Sequence, residues 1–296
     1  MKTSTTIKHV SVLTVLFLLI TSSSTASTKN KSEMPGPKDP VKLVYNMPQG
    51  KSISYGVTTS VSQTMDIEGQ SMNVLVDNNL AFKMKMVGKE AGNLKLEITI
   101  DSLSMKIDSP MGASSASKIK EVEGKTFNIL ISQIGKEIDV TEAARVEFSA
   151  EGSGASNFSQ SFASIFPDLP ENPVKPGDTW IKNDSVINKT SMSKTSTIFQ
   201  STNKFEGTEM IDGIECAKIT SSMTGKMETN VQNQGMDIYY SGPYQGTVTL
   251  YFAVKEGYFV KQESRTRMTG TIEISGPQSM SFPVVMDTTS KIEAKK

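Results

Sequence analysis

The feature that most constrains the fold is a period-two alternation of apolar and polar residues, which runs through nearly the whole chain. From Ile53 to Ile67 the apolar residues occupy odd positions, and the even positions are mostly Ser, Thr and Asp. From Met72 to Met86 they mostly occupy the even positions, although Leu75 and, just beyond, Val87 break the pattern. Because successive side chains of a strand point to opposite faces, this pattern predicts two long strands, each with one apolar face. Strands of this length are expected to twist and curve.

A third strand contains a change of phase. Apolar residues occupy even positions from 94 to 100 and odd positions from 103 to 107. One residue near Asp101 and Ser102 must therefore be absorbed, which predicts a β-bulge. A glycine-bounded turn at residues 88–93 predicts a hairpin between the second and third strands. A further hairpin is expected from residues 127–131 and 137–140.

The order of these elements recurs in the second half of the chain. Three glycine-centred turns in the first half match three turns in the second half at similar spacing, which predicts a duplicated β-unit. The alternative is chance similarity between two β-meanders. The matched pairs are Gly50 with Gly177, Gly92 with Gly213, and Gly135 with Gly257.

Between the two halves the period changes from that of a strand to that of a helix. Phe158, Phe162, Ile165 and Phe166 lie at i, i+4, i+7 and i+8, and Pro167 follows them. This spacing predicts a helix that ends at the proline. Prolines at every third position from 167 to 176 then predict an extended linker. An apolar stripe on the helix would cover part of a sheet face.

Together these elements predict a mainly β fold, with two related curved antiparallel sheets, half-barrel-like, and one short covering helix. The predicted organisation is a signal peptide at 1–26, a disordered segment at 27–40, a first β unit at 41–150, the helix and Pro-rich linker at 151–176, and a second β unit at 177–296.

The N-terminus has the features of a secretory signal. Lys2 and Lys8 precede an apolar run at 10–20, and small residues end at Ala26, as in a signal peptide. The run is shorter than the roughly 20 residues that a membrane span needs. We expect a mature chain from Ser27, without a transmembrane span, that is secreted or periplasmic. An uncleaved N-terminal anchor is the alternative.

The segment PVKPGDTW at residues 173–180 follows a Phe-rich stretch and a turn at Gly135 and Lys136. Over residues 41–290 the chain resembles an uncharacterised family of secreted or lipid-anchored β-rich proteins of Gram-negative bacteria. The resemblance implies an envelope location and a β architecture, and it implies no mechanism. The lipobox cysteine of anchored relatives is absent here. The expected architecture also looks like the half-barrels of periplasmic lipoprotein carriers, which is an analogy of shape alone.

Composition excludes several kinds of catalytic and metal site. The single histidine, His9, lies in the predicted signal peptide, so the mature chain would have no imidazole for a nucleophile pair or a metal ligand. The 31 basic residues balance 31 acidic ones, so no basic footprint for nucleic acid is expected. The single cysteine, Cys216, cannot form an intramolecular disulfide, and its strand spacing from Ile214 predicts a buried, inert thiol.

Two chemical alternatives can be formulated from the remaining residues. Met84 and Met86 have a spacing compatible with a thioether copper site, but the alternation points them inward as core or as an adaptable apolar surface. A hydrolase built on carboxylates such as Glu97 and Asp101 needs no histidine, but these residues alternate outward. We therefore predict that the protein is not an enzyme and has no catalytic residue, metal or cofactor.

The expected function is that of an exported envelope protein whose concave apolar face cradles a lipid or another hydrophobic ligand. The alternative is a structural or interaction module of the envelope, contacting another envelope protein, in which the two units bury each other's faces and leave no ligand cavity. The residues predicted to contact a ligand are Val57, Val61, Phe82, Met84, Met86, Leu96 and Ile98.

Overall fold

A computed structural model describes residues 39–110, 114–150, 154–189, 193–233, 236–276 and 279–295. The predicted signal peptide and nearly all of the predicted disordered segment lie outside the described residues. The mainly β fold class is confirmed. No helix in these ranges is long and apolar enough to cross a membrane.

The two halves of the chain each form an antiparallel meander. The first comprises β1 (Ser52–Ile67), β2 (Gln70–Glu90), β3 (Asn93–Asp108), β4 (Ser115–Lys118), β5 (Thr126–Ile131) and β6 (Glu137–Asp139). The segment between the halves contains β7 (Glu147–Ala150) and β8 (Gly154–Asn157), which form a small sheet. The second meander comprises β9 (Thr179–Lys189), β10 (Ser193–Ile211), β11 (Ile214–Asn233), β12 (Met236–Ala253), β13 (Tyr258–Ser275) and β14 (Met280–Lys295).

The strands of the two predicted sheets together form one continuous sheet of 12 strands. Its order is β6-β5-β3-β2-β1-β14-β13-β12-β11-β10-β9, and β4 pairs with β3. The halves merge because β14 returns alongside β1, with residues 54–65 opposite residues 284–295. This pairing satisfies backbone groups that would otherwise form two unpaired edges. The sheet is not closed into a barrel, and its two edge strands are β6 and β9.

The predicted bulge in the third strand is confirmed at Asp101. Ala81 of β2 pairs with Ser102, and the next residue, Phe82, pairs with Ile100. Asp101 is therefore left without a partner across the ladder. Because the bulge absorbs one residue, the apolar positions on either side of it remain on the same face, and all of them are buried.

The predicted helix over residues 158–166 is wrong in length. Only α2 (Ser159–Phe162) is α-helical there. The other short helices in the described ranges are α1 (Thr141–Ala144) and a 3-10 turn at Lys120–Val122. Aromatic and Ser residues favour helix only weakly, and a single turn suffices to bury the side chains. Phe158, Phe162, Ile165 and Phe166 are all buried, so the expected covering role is retained.

An aromatic cluster joins this segment to the inner face of the sheet. The Phe162 ring lies 5.1 Å from the ring of Phe82 and 5.1 Å from that of Phe127, in edge-to-face geometry. Phe158 packs between Phe127 and Phe148, with centroid distances of 6.1 and 4.9 Å. Such aromatic contacts add to the free energy gained by burial. The inner face of the first meander is therefore sealed.

The glycines of the matched turns share a backbone conformation. All six have positive φ, which glycine adopts at little cost. The N–H of Gly50 donates to the carbonyl of Met86 and the N–H of Gly177 donates to that of Phe205, both at 2.7 Å. Met86 and Phe205 also each precede a shift in strand register. These correspondences agree with a duplicated unit, and the duplication itself stays a prediction.

Cys216 is buried on β11, and its thiol lies 3.5 Å from the carbonyl oxygen of Ile214. Burial raises the pKa of this thiol to about 12, and the nearby carboxylates of Glu256 and Glu209 add to the shift. Very little thiolate, the reactive form, is therefore present near neutral pH. These properties match those expected from the sequence.

Candidate functional site

The residues predicted to contact a ligand come together in the core. Each of the seven has at most 8% of its surface exposed. Met84 pairs across the β2–β3 ladder with Ile98, and Met86 pairs with Leu96. Phe82 is covered by Phe162. Their role as ligand contacts stays a prediction, and none of the seven lines the cavity found elsewhere in the fold.

That cavity lies on the inner side of the second meander and has a volume of about 1370 Å³. One wall is the inner face of β10 to β13. The facing wall comes from β6 and from the chain between Ala163 and Asp178. Side chains of β9 complete the lining, so both edge strands of the sheet border the cavity. Ligand sites of proteins typically measure roughly 300–1,000 Å³, so this space can hold a ligand with a long chain.

The path of the connecting segment explains why the cavity lies on this side of the fold. Phe158 and Phe162 pack into the first meander, as described above. After Phe166 the chain is extended and proline-rich, and it is tied to neighbouring segments by backbone hydrogen bonds from Leu169 to Ile134 (2.8 Å) and between Val174 and Val41. A proline-rich chain of this kind supplies few bulky side chains. The facing part of the second meander is therefore not filled from this side.

The inner wall of the cavity combines apolar and uncharged polar side chains. Its apolar members are Phe199, Ile219, Met223, Val248 and Leu250. Its polar members are Ser201, Asn203, Ser221 and Gln262. Such a lining suits an amphiphilic ligand, because the apolar groups favour a hydrocarbon chain and the polar groups can orient it.

A row of side chains that are all polar except Val248 crosses the inner face of the sheet and ends at this wall. From β2 to β10, successive partners in the row are Asn78, Thr59, Ser290, Ser264, Val248, Ser221 and Asn203. The Thr59 hydroxyl donates to Ser290 Oγ at 3.1 Å, and the Ser221 hydroxyl donates to Asn203 Oδ1 at 2.6 Å. The buried hydroxyl of Ser264 has no hydrogen-bond partner among the described residues. The inner face is therefore amphiphilic, not purely apolar.

Charged side chains form part of the cavity lining. Lys182 of β9 forms ion pairs with Asp168 and with Asp184, the latter at 2.9 Å between Nζ and Oδ2. Burial disfavours the charged form of Lys182, but the two carboxylates outweigh this effect and raise its pKa. Asp168 belongs to the connecting segment, so its ion pair links that segment to the edge strand β9.

Glu137 lies at the start of edge strand β6 and lines the cavity. Its Oε1 atom is shielded from solvent and has no hydrogen-bond partner among the described residues. Burial raises the pKa of Glu137 to about 8, and repulsion from Asp168 adds to the shift. Hydrogen bonds from the backbone of Glu137 and of Phe166, and the charge of Lys182, partly oppose it. Strongly shifted carboxyl groups that border a cleft are candidates for a functional role.

The alternation pattern does not predict this cavity. Ser201, Asn203 and Ser221 interrupt the apolar faces of β10 and β11, and Lys182 points inward from β9. The sequence contains one signal for the cavity: polar residues occupy positions where the alternation predicts apolar ones. Within the described ranges, no cluster of three or more His, Cys, Asp or Glu residues is arranged to hold a metal ion.

No family model matches this sequence, and no curated protein matches it. Among solved structures, the chain is similar to a protein of Bacteroides fragilis described as exported with a YmcC-like fold, at 10% identity, TM-score 0.20, and coverage of 86% of this chain and 99% of that one. It is also similar to DynF from the dynemicin biosynthesis pathway of Micromonospora chersina, at 7% identity, TM-score 0.22, and coverage of 94% of each chain. A DUF1329 family protein of Desulfovibrio piger gives 12% identity, TM-score 0.16, and coverage of 80% and 84%. Scores this low do not establish a common fold.

Proposed function

We propose that this protein is an exported, non-enzymatic envelope protein that binds an amphiphilic or hydrophobic ligand in the cavity between the second meander and the connecting segment. The observation that carries the proposal is the cavity itself, about 1370 Å³ in volume, whose inner wall combines apolar side chains such as Phe199, Met223 and Leu250 with uncharged polar ones. Contact of these apolar side chains with a hydrocarbon chain is favourable, because it removes apolar surface from water.

The site differs from the one expected from the alternation of β1 to β3. The ligand would contact β10 to β13, because the equivalent face of the first meander is already covered by Phe158 and Phe162. The proposed ligand class is therefore the one expected from the sequence, a lipid or another hydrophobic molecule. The proposed binding site lies on the second meander instead of the first. This proposal competes directly with the interaction-module hypothesis, in which no ligand cavity exists.

Export is supported by the sequence of residues 1–26, with its lysines, apolar run and small residues before Ser27. A non-enzymatic role is supported by the lack of histidine in the chain after His9. Two carboxylates of the lining, Asp168 and Asp184, act instead through charge, by pairing with Lys182.

Native mass spectrometry of the protein purified from its own envelope tests the proposal. The expected result is a mature mass beginning at or near Ser27 together with a second species that carries a retained lipid or other amphiphile. Delipidated protein should then bind phenylnaphthylamine, an uncharged fluorescent probe, in a saturable manner. A single apoprotein mass with no saturable probe binding would refute ligand binding and favour the interaction module.

A further inference from the structure

The two edges of the large sheet differ in how well they are protected from pairing with a further strand. β6 has three residues, and its pairing with β5 contains a register shift. β9 has 11 residues and no proline, and within the described ranges it pairs only with β10. Short or irregular edge strands resist further pairing, whereas a long regular one presents a row of unpaired N–H and C=O groups. The β9 edge is therefore the one that can accept another strand.

The odd-numbered residues of β9 direct their backbone groups to this free edge. Immediately before β9, the N–H of Phe205 donates to the carbonyl oxygen of Asp178 at 3.0 Å. Hydrogen-bonded and non-hydrogen-bonded positions alternate along an antiparallel ladder, so the even-numbered residues that follow bond to β10. The residues whose backbone groups point to the free edge are Thr179, Ile181, Asn183, Ser185 and Ile187.

The outer face of the sheet beside this edge carries exposed isoleucines. Ile181 and Ile187 of β9 are 63% and 67% exposed, and Ile198 of β10 is 62% exposed. Ile198 pairs with Ser185, which lies two residues from Ile187 on the same face, so Ile187 and Ile198 are diagonal neighbours. Covering these side chains with another apolar surface is favourable. The edge therefore offers apolar contacts as well as backbone groups.

The charges on the inner face of β9 indicate which strand fits this edge. When two copies of β9 pair antiparallel about Asn183, Lys182 of each copy lies opposite Asp184 of the other. Both occupy non-hydrogen-bonded positions, where side chains approach most closely. The same register places Ile181 diagonal to Ile187 of the second copy. The neighbouring registers, centred on Lys182 or on Asp184, would instead set like charges directly opposite each other, which is destabilising.

We infer that β9 is a dimerisation edge, on which a second copy of this chain docks its own β9 antiparallel, with Asn183 opposite Asn183. Each copy contributes the same patch, as in a two-fold symmetric homodimer, and about ten backbone hydrogen bonds form across the edge. Lys182 already pairs with Asp168 and Asp184 of its own chain, and its three N–H donors allow a third carboxylate. Because Lys182 and Asp184 line the cavity, docking places residues of the second copy beside that site. The inference goes beyond the proposed ligand binding and does not depend on it.

Sedimentation velocity of the full mature protein measures the association. We expect a species of twice the mature chain mass whose population rises with protein concentration. A monomer at every concentration up to about 100 µM would overturn the inference and leave the β9 edge to a strand of another protein.

Asn183→Pro tests the backbone pairing, because it removes an N–H that points to the free edge and not to β10. We expect it to weaken dimerisation about tenfold or more. Asn183→Ala keeps this N–H, so it is the matched control and should change the dimer affinity by less than about threefold. Circular dichroism shows whether both variants keep the fold. Equal dimerisation of two folded variants would overturn pairing through β9.

Cysteine cross-linking reads the register and does not need Asn183→Pro to fold. The Cα atoms of a directly opposed hydrogen-bonded pair lie about 5.5 Å apart, which is within disulfide range. Asn183→Cys should therefore give a disulfide-linked dimer with oxidised glutathione as the oxidant, whereas the native Cys216 is buried. Ser185→Cys, also exposed on the outer face, is the matched control, because its counterpart in the second copy lies four residues from the position opposite it. Equal cross-linking of both variants would overturn the register, and cross-linking of neither would overturn docking at this edge.

Discussion

The hydroxyl of Tyr55 donates a hydrogen bond to the carbonyl oxygen of Phe259, with an oxygen-to-oxygen distance of 2.9 Å. The two rings also stack, with centroids 4.7 Å apart, and Phe82 stacks on Tyr55 at 5.2 Å. Burial raises the pKa of the Tyr55 hydroxyl, and the nearby Tyr258 adds to the shift, so the group stays protonated and can donate. This contact joins the first strand of the first meander to β13 of the second.

Replacing Tyr55 with Phe should destabilise the protein by about 1–3 kcal/mol, because the buried carbonyl of Phe259 loses its donor. The ring contacts are kept, so the fold should be unchanged. Urea unfolding followed by circular dichroism measures the difference. Tyr239→Phe, at a more exposed position, is the matched control and should be close to neutral. Equal stability of Tyr55→Phe and the wild type would show that the hydrogen bond contributes nothing.

Gly135 occupies a turn where both its conformation and its surroundings exclude a side chain. Its φ is +90°, and an added Cβ would lie 2.7 Å from Cε2 of Tyr45 and closer still to the carbonyl oxygen of Pro167. Gly135→Ala should therefore cost more than the roughly 1–3 kcal/mol of backbone strain alone. Gly69→Ala is the matched control, since Gly69 has φ +78° with nothing near its Cβ position. Similar melting temperatures for the two variants would contradict the close packing at Gly135.

The raised pKa of Glu137 predicts a pH dependence of stability. Its pKa is about 8 in the folded protein, against an ordinary value of 4.5, so the folded state holds a proton that the unfolded state releases. The free energy of unfolding should therefore fall as the pH rises from about 4.5 to about 8. Urea unfolding across this range should show a shallower fall in Glu137→Gln. A profile as steep as that of the wild type would assign the dependence to another group.

Much of the local structure could be predicted because alternation and turn chemistry are short-range properties. The bulge at Asp101 followed from a change of phase within one strand, and the turns at Gly92 and Gly213 followed from glycines between alternating runs. A one-residue slip would move every side chain to the other face, so the buried face of each strand was strongly specified.

The cavity and the single continuous sheet depend on long-range relationships that a local pattern does not contain. Pairing of β1 with β14 joins residues more than two hundred positions apart, and alternation does not say which strands become neighbours. The cavity depends on the extended path of the chain after Phe166. Ser201 and Asn203 are polar residues on the inner face of β10, and they form part of the cavity wall.

Met84 is fully buried on β2. A substitution at this position therefore tests whether the inner face of the first meander is a closed core or a ligand site. Met84→Asp should strongly destabilise or unfold the protein, because an unpaired buried carboxylate is costly. Asn79→Asp is the matched control, since it adds the same charge at an exposed position of the same strand. Thermal unfolding of both variants measures the difference. A folded Met84→Asp variant that has lost probe binding would return the ligand site to the first meander.

Ser221 and Ser222 are neighbours on β11 that face opposite sides of the sheet, and they test the position of the ligand site. Ser221 lines the cavity, whereas Ser222 is exposed on the outer face. Ser221→Phe should fill part of the cavity and weaken phenylnaphthylamine binding by about tenfold or more, since the ring occupies space that the probe needs.

Ser222→Phe adds the same ring to the outer face and should leave probe affinity unchanged. Circular dichroism should show the same β-rich spectrum for both variants, which separates a blocked cavity from a disrupted fold. The two substitutions are chemically identical and one residue apart. Any difference in probe affinity between the variants is therefore caused by which face of the sheet carries the added ring. Undiminished binding in a folded Ser221→Phe variant would place the ligand outside this cavity.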